Sequence, residues 1–77
     1  MKNRMTIIPV APVGRVIREA GAERISENAS AELARILEEY GIKISNEAIA
    51  LARHAGRKTV KEEDIKMAVD IARKTRD

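Results

Sequence analysis

From Glu27 to Ala55 the chain runs 29 residues without a proline, and apolar side chains return every three or four positions. Ala29, Leu33, Ile36, Tyr40, Ile44, Ala48, Leu51 and Ala55 form one stripe, and Leu37, Ile42 and Ile49 add a second. That spacing is helical. Ser26 is placed to cap the helix, Glu27 suits its first turn, and Gly56 supplies the stop. A helix of this length spans about 43 Å. It is too long, and apolar on too many sides, to be covered by the short segments left in a 77-residue chain. A domain this small needs disulfides, a metal or a second chain. There is no cysteine, and His54 is the only histidine, which excludes disulfides, thiolate metal sites and a zinc site. Association remains.

Gly41 lies at the middle of the predicted helix. Glycine there costs about 1 kcal/mol relative to alanine. Close approach of a second backbone offsets that cost, so two copies are expected to cross near Gly41, antiparallel about a two-fold axis. A tolerated glycine or a slight bend is the plainer alternative.

The flanking segments are short. Residues 1–8 read as a basic arm carrying Lys2 and Arg4, in which Thr6-Ile7-Ile8 suits a short strand that Pro9 and Pro12 would limit. A first helix is expected from Pro12 to Ala20, with Pro12 in its first turn and Gly21 ending it. After Gly56-Arg57-Lys58, the run Thr59-Val60-Lys61-Glu62 matches a capping box, with Thr59 as the cap and Glu62 reaching back. The third helix then carries Ile65, Ala68, Val69 and Ala72 on one face, with Met67 and Ile71 flanking, and frays by Lys74. Helical order short, long, short makes the chain all-α, with one domain over residues 9–74 and a tail at 75–77.

Charge is distributed unevenly. Residues 1–25 carry net +3, residues 26–50 net −3, and residues 51–61 net +4 with no acidic side chain. The end of one helix, a cationic loop and the start of another bring positive charge and free N–H groups together, which suits an anion. In an antiparallel dimer Arg24, just before the long helix, would meet Arg57 and Lys58 of the other copy. Arg15 and Arg18 would form a further cationic site near the two-fold. Spaced cations on a rigid dimer suit a polyanion. Tyr40 is the only aromatic side chain, so the stacking platforms of single-strand binders are missing. Arg, Lys, Thr and Ser are phosphate-contact residues, which favours backbone contact and bending of double-stranded DNA over base reading.

Other classes are weakly supported. Glu38-Glu39 and Glu62-Glu63-Asp64 offer adjacent carboxylates, but neighbours on a helix point apart, so they read as solvated faces, a cap and a brace. No nucleophile triad or phosphate-binding glycine loop is present, and neither an enzyme nor a cofactor or small-molecule substrate is expected. No apolar run approaches a membrane span, and the N-terminus is too short and broken for a signal peptide, so a cytoplasmic protein is expected.

Three motifs carry a resemblance. Ile8-Pro9-Val10-Ala11-Pro12-Val13-Gly14-Arg15, Ala20-Gly21-Ala22-Glu23-Arg24-Ile25-Ser26, and Ala52-Arg53-His54-Ala55-Gly56-Arg57-Lys58-Thr59-Val60-Lys61 closely resemble the archaeal histones, over about Ile8 to Lys74. The resemblance implies a histone-fold homodimer, or a heterodimer with another histone, that wraps duplex DNA on the chromosome with little sequence preference. It implies that Arg15 enters the minor groove and that Arg24, Lys58 and Thr59 contact phosphate; the charge pattern adds Arg18, Arg57 and Lys61 as expected DNA contacts. It implies an intrachain Arg57–Asp64 ion pair, and joining of dimers into higher oligomers on DNA through Leu51, His54, Asp64 and Met67. Here Arg35 and Lys66, and Glu39 and Asp70, are like charges where some relatives place opposite charges between superhelix turns, which implies open rather than tightly stacked superhelices. A scaffold protein of the transcription-factor type, or a ribbon–helix–helix repressor suggested by Met5-Thr6-Ile7-Ile8, are the alternatives. The phosphate-facing set counts against the first, and the long helix against the second.

Overall fold

The computed structural model describes residues 6–74, so residues 1–5 and 75–77 of the expected arm and tail lie outside it. Three α-helices follow one another: α1 (Val10–Glu19), α2 (Glu27–His54) and α3 (Glu62–Lys74), with no strand among the described residues. The described residues form two compact units that divide between Glu39 and Tyr40, within α2.

In the first unit α1 begins at Val10, two residues before the expected Pro12. Pro9 stands at the N-cap with φ −66° and ψ 142° and offers no side-chain cap. Pro12 is the third helical residue. The first four N–H groups of a helix lack intrahelical acceptors, so a proline there loses nothing. The helix ends at Glu19 rather than Ala20, and Gly21 takes φ 115°. Gly21 N–H bonds to the Arg18 carbonyl and Ala22 N–H to that of Ile17, closing a Schellman turn that needs the glycine. Ser26 then starts α2: its Oγ accepts the Ala29 N–H at 3.1 Å. The buried residues of this unit are Val13, Ser30 and Ala34. A methyl group at Gly14 would stand 3.0 Å from Ser30 Oγ, so α1 and α2 approach closely there. Thr6-Ile7-Ile8 bends instead of forming a strand. Thr6 Oγ1 donates to the Ile8 carbonyl at 2.7 Å.

In the second unit α2 ends at His54, one residue before the expected Ala55, and Gly56 takes φ 78°. Gly56 N–H bonds to the Arg53 carbonyl and Arg57 N–H to that of Ala52, a second Schellman turn. Ile44, Ala48 and Ala68 form the buried cluster, with Leu51, Val69 and Ala72 packed against it.

The inward face of α2 differs from the stripe read off the sequence. Ser30, Ala34, Ile44, Ala48 and Ala52 are buried, whereas Ala29, Ile36, Tyr40 and Ala55 of that stripe are exposed. Small residues meet the chain's own neighbours. Apart from Ile44 and Leu51, large ones stay outside: Tyr40 is 47% and Ile42 53% exposed, with Ile36, Leu37 and Ile49 also in contact with solvent. No large side chain is fully buried among the described residues. At Gly41 a methyl group would meet nothing within 4 Å, so packing within the chain gives no reason for glycine at this position.

Candidate nucleic-acid interface

The three helix starts are electrostatically unlike. α2 has Glu27 in its first turn, and α3 has Glu62, Glu63 and Asp64. α1 has no acidic residue in its first turn and no side-chain cap. Nothing acidic within its own first turn offsets its N-terminal partial charge, although Glu38 accepts the N–H groups of Ile7 and Ile8 just ahead of it. Arg15 and Arg18 follow on the same helix and share with Val10, Ala11 and Gly14 an open concavity of about 270 Å³, closed by Ile25, Glu27 and Ser30. Both arginines are exposed, as is Arg24 in the turn before α2.

The segment between α2 and α3, residues 55–61, here loop 2, is built on a carboxylate. Asp64 is buried, 5% exposed. Arg57 grips it with two bonds, Nη1 to Oδ2 at 2.9 Å and Nη2 to Oδ1 at 3.0 Å, and Nη1 also donates to the Thr59 carbonyl at 2.9 Å. Lys61 N–H donates to Asp64 Oδ2 at 2.8 Å. One aspartate thus ties the guanidinium, the loop and the start of α3 together.

This arrangement corrects the expected capping box. α3 begins at Glu62 with Lys61 at its N-cap, and Asp64, three residues on, reaches back to the cap's N–H. Thr59 lies in the loop, exposed, and caps nothing. Asp64 takes the place expected of Glu62 because Arg57 compensates its burial. The start of α3, flanked by three acidic side chains, is also a poor anion site, contrary to the expectation that its N–H groups would join the cationic loop. Loop 2 offers instead the exposed side chains of Lys58, Thr59 and Lys61.

Arg57 is spent on the brace, with only 26% of its side chain accessible. By contrast Arg15, Arg18, Arg24, Lys58 and Lys61 have no ion pair among the described residues, where Arg35 pairs with Glu32 and Glu39, and Lys66 with Glu62. Lys43 and Arg53 are also unpaired among them, so lack of a partner alone does not define the surface.

The Arg57 guanidinium, and then the Lys61 N–H, lower the Asp64 pKa from 3.8 to about 2. Between these two values the unfolded chain binds the proton and the folded one does not. The stability this carboxylate contributes is therefore complete above about pH 4 and is lost as pH falls through about 2. Asp64→Asn is expected to flatten that acid limb of the thermal midpoint and to lower the midpoint at neutral pH. An unchanged limb in the variant would remove Asp64 as its source.

The residues expected to join dimers are less uniform. His54, the last residue of α2, is exposed; Met67 is 54% exposed; Leu51 packs against the buried cluster. Asp64 is inside the brace, and two of its bonds fall on Oδ2 and one on Oδ1.

The sequence model of the histone-like transcription factors (CBF/NF-Y) and archaeal histones matches residues 6–69. The chain belongs to this family. It is 57% identical over 65 residues to one of the subunits of the archaeal histone HAN1 from Thermococcus zilligii, spanning 84% of this chain and 97% of that one. It is 48% identical, over the same shares, to the probable archaeal histone 3 of Methanocaldococcus jannaschii. The order of α1, α2 and α3 is that of a histone fold, and no helix among the described residues is long and apolar enough to cross a membrane.

Glu38 was missed as a structural residue. It is half-buried and accepts the N–H groups of Ile7 and Ile8. No spacing rule links residues thirty positions apart, and the pair Glu38-Glu39 read as a solvated face. Only the arm's unsatisfied donors ahead of Pro9 hinted at an acceptor.

Proposed function

We propose that this histone-family chain is a chromatin protein: a homodimer that binds, bends and compacts double-stranded DNA with little sequence preference. The observation that carries this is the start of α1, with no acidic residue in its own first turn and followed by the exposed Arg15 and Arg18. A phosphate fits such a terminus, and the arginines suit the adjoining groove. Arg24 in the first unit, and Lys58, Thr59 and Lys61 in the second, are further phosphate contacts, and Arg57 acts through the loop it braces. The partner is a second copy, crossing at Gly41, where the chain leaves space beside the glycine and apolar side chains around it. The relative from Thermococcus zilligii is by its name one of several chains of HAN1, so a second histone belongs among the partners tested.

On DNA, dimers join through Leu51, His54 and Met67. Asp64 takes part only through its less occupied Oδ1, since the brace uses the rest. Arg35 is clamped between Glu32 and Glu39, and Lys66 is paired with Glu62, so three of the four charges that would meet between superhelix turns, all but Asp70, are already paired within the chain. This favours open superhelices. The protein acts in the cytoplasm, on the chromosome, and performs no catalysis.

Nuclease digestion of complexes reconstituted on random-sequence duplex tests the reading. Protected fragments in steps of a constant length are expected, each step one dimer. Protection confined to one sequence would indicate a repressor, and no protection a protein–protein scaffold.

A further inference from the structure

One acidic residue lines the cationic concavity at the start of α1. Arg15 and Arg18 border it from α1, and Glu27 borders it from the first turn of α2, beside the half-buried Ile25 and the buried Ser30. Glu27 is exposed and makes no ion pair among the described residues, so no contact cancels its charge. A space of about 270 Å³ is comparable in width with one Debye length, about 10 Å at 0.1 M salt. A phosphate drawn in by the arginines therefore also meets the field of this carboxylate. Helix α2 supplies the reason for an acid here. Negative charge in a first turn offsets the helix dipole and the N–H groups left without acceptors, and Ser26 Oγ takes one of those groups, that of Ala29. One side chain thus supports α2 and opposes an anion at α1.

We propose that Glu27 limits the affinity of this site for duplex DNA: its carboxylate repels the phosphate that the start of α1, Arg15 and Arg18 attract, while the same charge stabilises α2. The inference deepens the DNA-binding reading above and rests on it. Removing the charge has two effects of opposite sign, tighter binding and a weaker fold. Two unit charges about 10 Å apart in water shift an equilibrium about twofold. A homodimer carries Glu27 twice, which makes the expected gain about fourfold. Salt screens this repulsion, so the gain is largest at low salt and shrinks as salt rises.

The test compares Glu27→Gln with Glu27→Asp and Glu19→Gln. Glu27→Gln removes the charge and keeps the size, and Glu27→Asp keeps the charge. Glu19→Gln makes the same change of charge at the exposed last residue of α1, which does not line the concavity. Affinity for random-sequence duplex is read against salt, and the thermal midpoint is read at one protein concentration. Glu27→Gln is expected to bind about fourfold more tightly at low salt, with a steeper salt dependence and a lower midpoint. Glu27→Asp should keep the affinity and midpoint of the unaltered protein. Glu19→Gln should gain less and lose no stability, since an acid at a helix C-terminus opposes the dipole. Unchanged or weaker binding by Glu27→Gln, or an equal gain from Glu19→Gln, would overturn the proposal while leaving DNA binding intact. A gain without a lower midpoint would overturn the part assigned to α2. Failure of the unaltered protein to bind duplex at all would overturn the DNA-binding reading, and this inference with it.

Discussion

Dilution is expected to unfold this protein. The buried residues explain why. In the first unit they are Val13, Ser30 and Ala34; in the second, three of the four buried apolar side chains are alanines. Alanine burial removes little apolar surface from water, and stabilisation follows that area. Meanwhile Ile36, Leu37, Tyr40, Ile42 and Ile49, all on α2, remain exposed in the single chain. In the proposed dimer that surface would be buried against a second chain, so folding and association are expected to be one event whose midpoint depends on concentration. Each tenfold dilution costs the dimer about 1.4 kcal/mol. With the usual unfolding entropy per residue for two 77-residue chains, the thermal midpoint should fall by about 4 °C per tenfold dilution. Calorimetry or circular dichroism over three decades of concentration would show it. Tyr40→Asp should abolish folding at micromolar concentration, because it places a charge on the surface that the partner covers. A folded monomer in sedimentation, with a midpoint that ignores dilution, would overturn the homodimer.

The sequence was most legible where chemistry is local. Ser26 caps α2, and Gly21 and Gly56 take the positive φ that their turns require. Each can be recognised within a few residues of chain. The start of α1 was less legible because proline is tolerated anywhere in the first turn, so Pro12 did not fix Val10 as the first helical residue. At α3 the sequence pointed to Thr59 as the cap with Glu62 reaching back, and only the position of Arg57 in space brings Asp64 to that role instead. The long stripe on α2 was legible as apolar but not as to what it faces. The periodicity of a helix that serves two chains does not say which apolar residues belong to which neighbour, and the chain's own contacts fell to Ser30, Ala34 and Ala48. Glu38 and the Gly14–Ser30 approach were illegible for the same reason: each joins segments that no local pattern connects.

Replacing Arg15, Arg24 and Lys58 by alanine together is expected to abolish duplex binding at physiological salt while leaving the fold intact. All three are exposed and outside every ion pair among the described residues, so their loss leaves no buried charge and no broken brace. In a homodimer each substitution counts twice. Each phosphate contact contributes about 0.9 to the slope of log affinity against log salt, so a single substitution should flatten the slope by about 2 and the triple variant by about 5. The loss should be the same on random duplex and on any chosen sequence, because phosphate contacts carry no base information. Two controls separate contact from architecture. Arg57→Ala should also weaken binding, but with a lower thermal midpoint, since it releases Asp64 and the Thr59 carbonyl. Thr59→Ala, freed of any capping role, should reduce affinity without a stability change if its hydroxyl touches phosphate. Should the triple variant keep its salt slope, the duplex does not lie on α1 and the loops, and these cations serve some other partner.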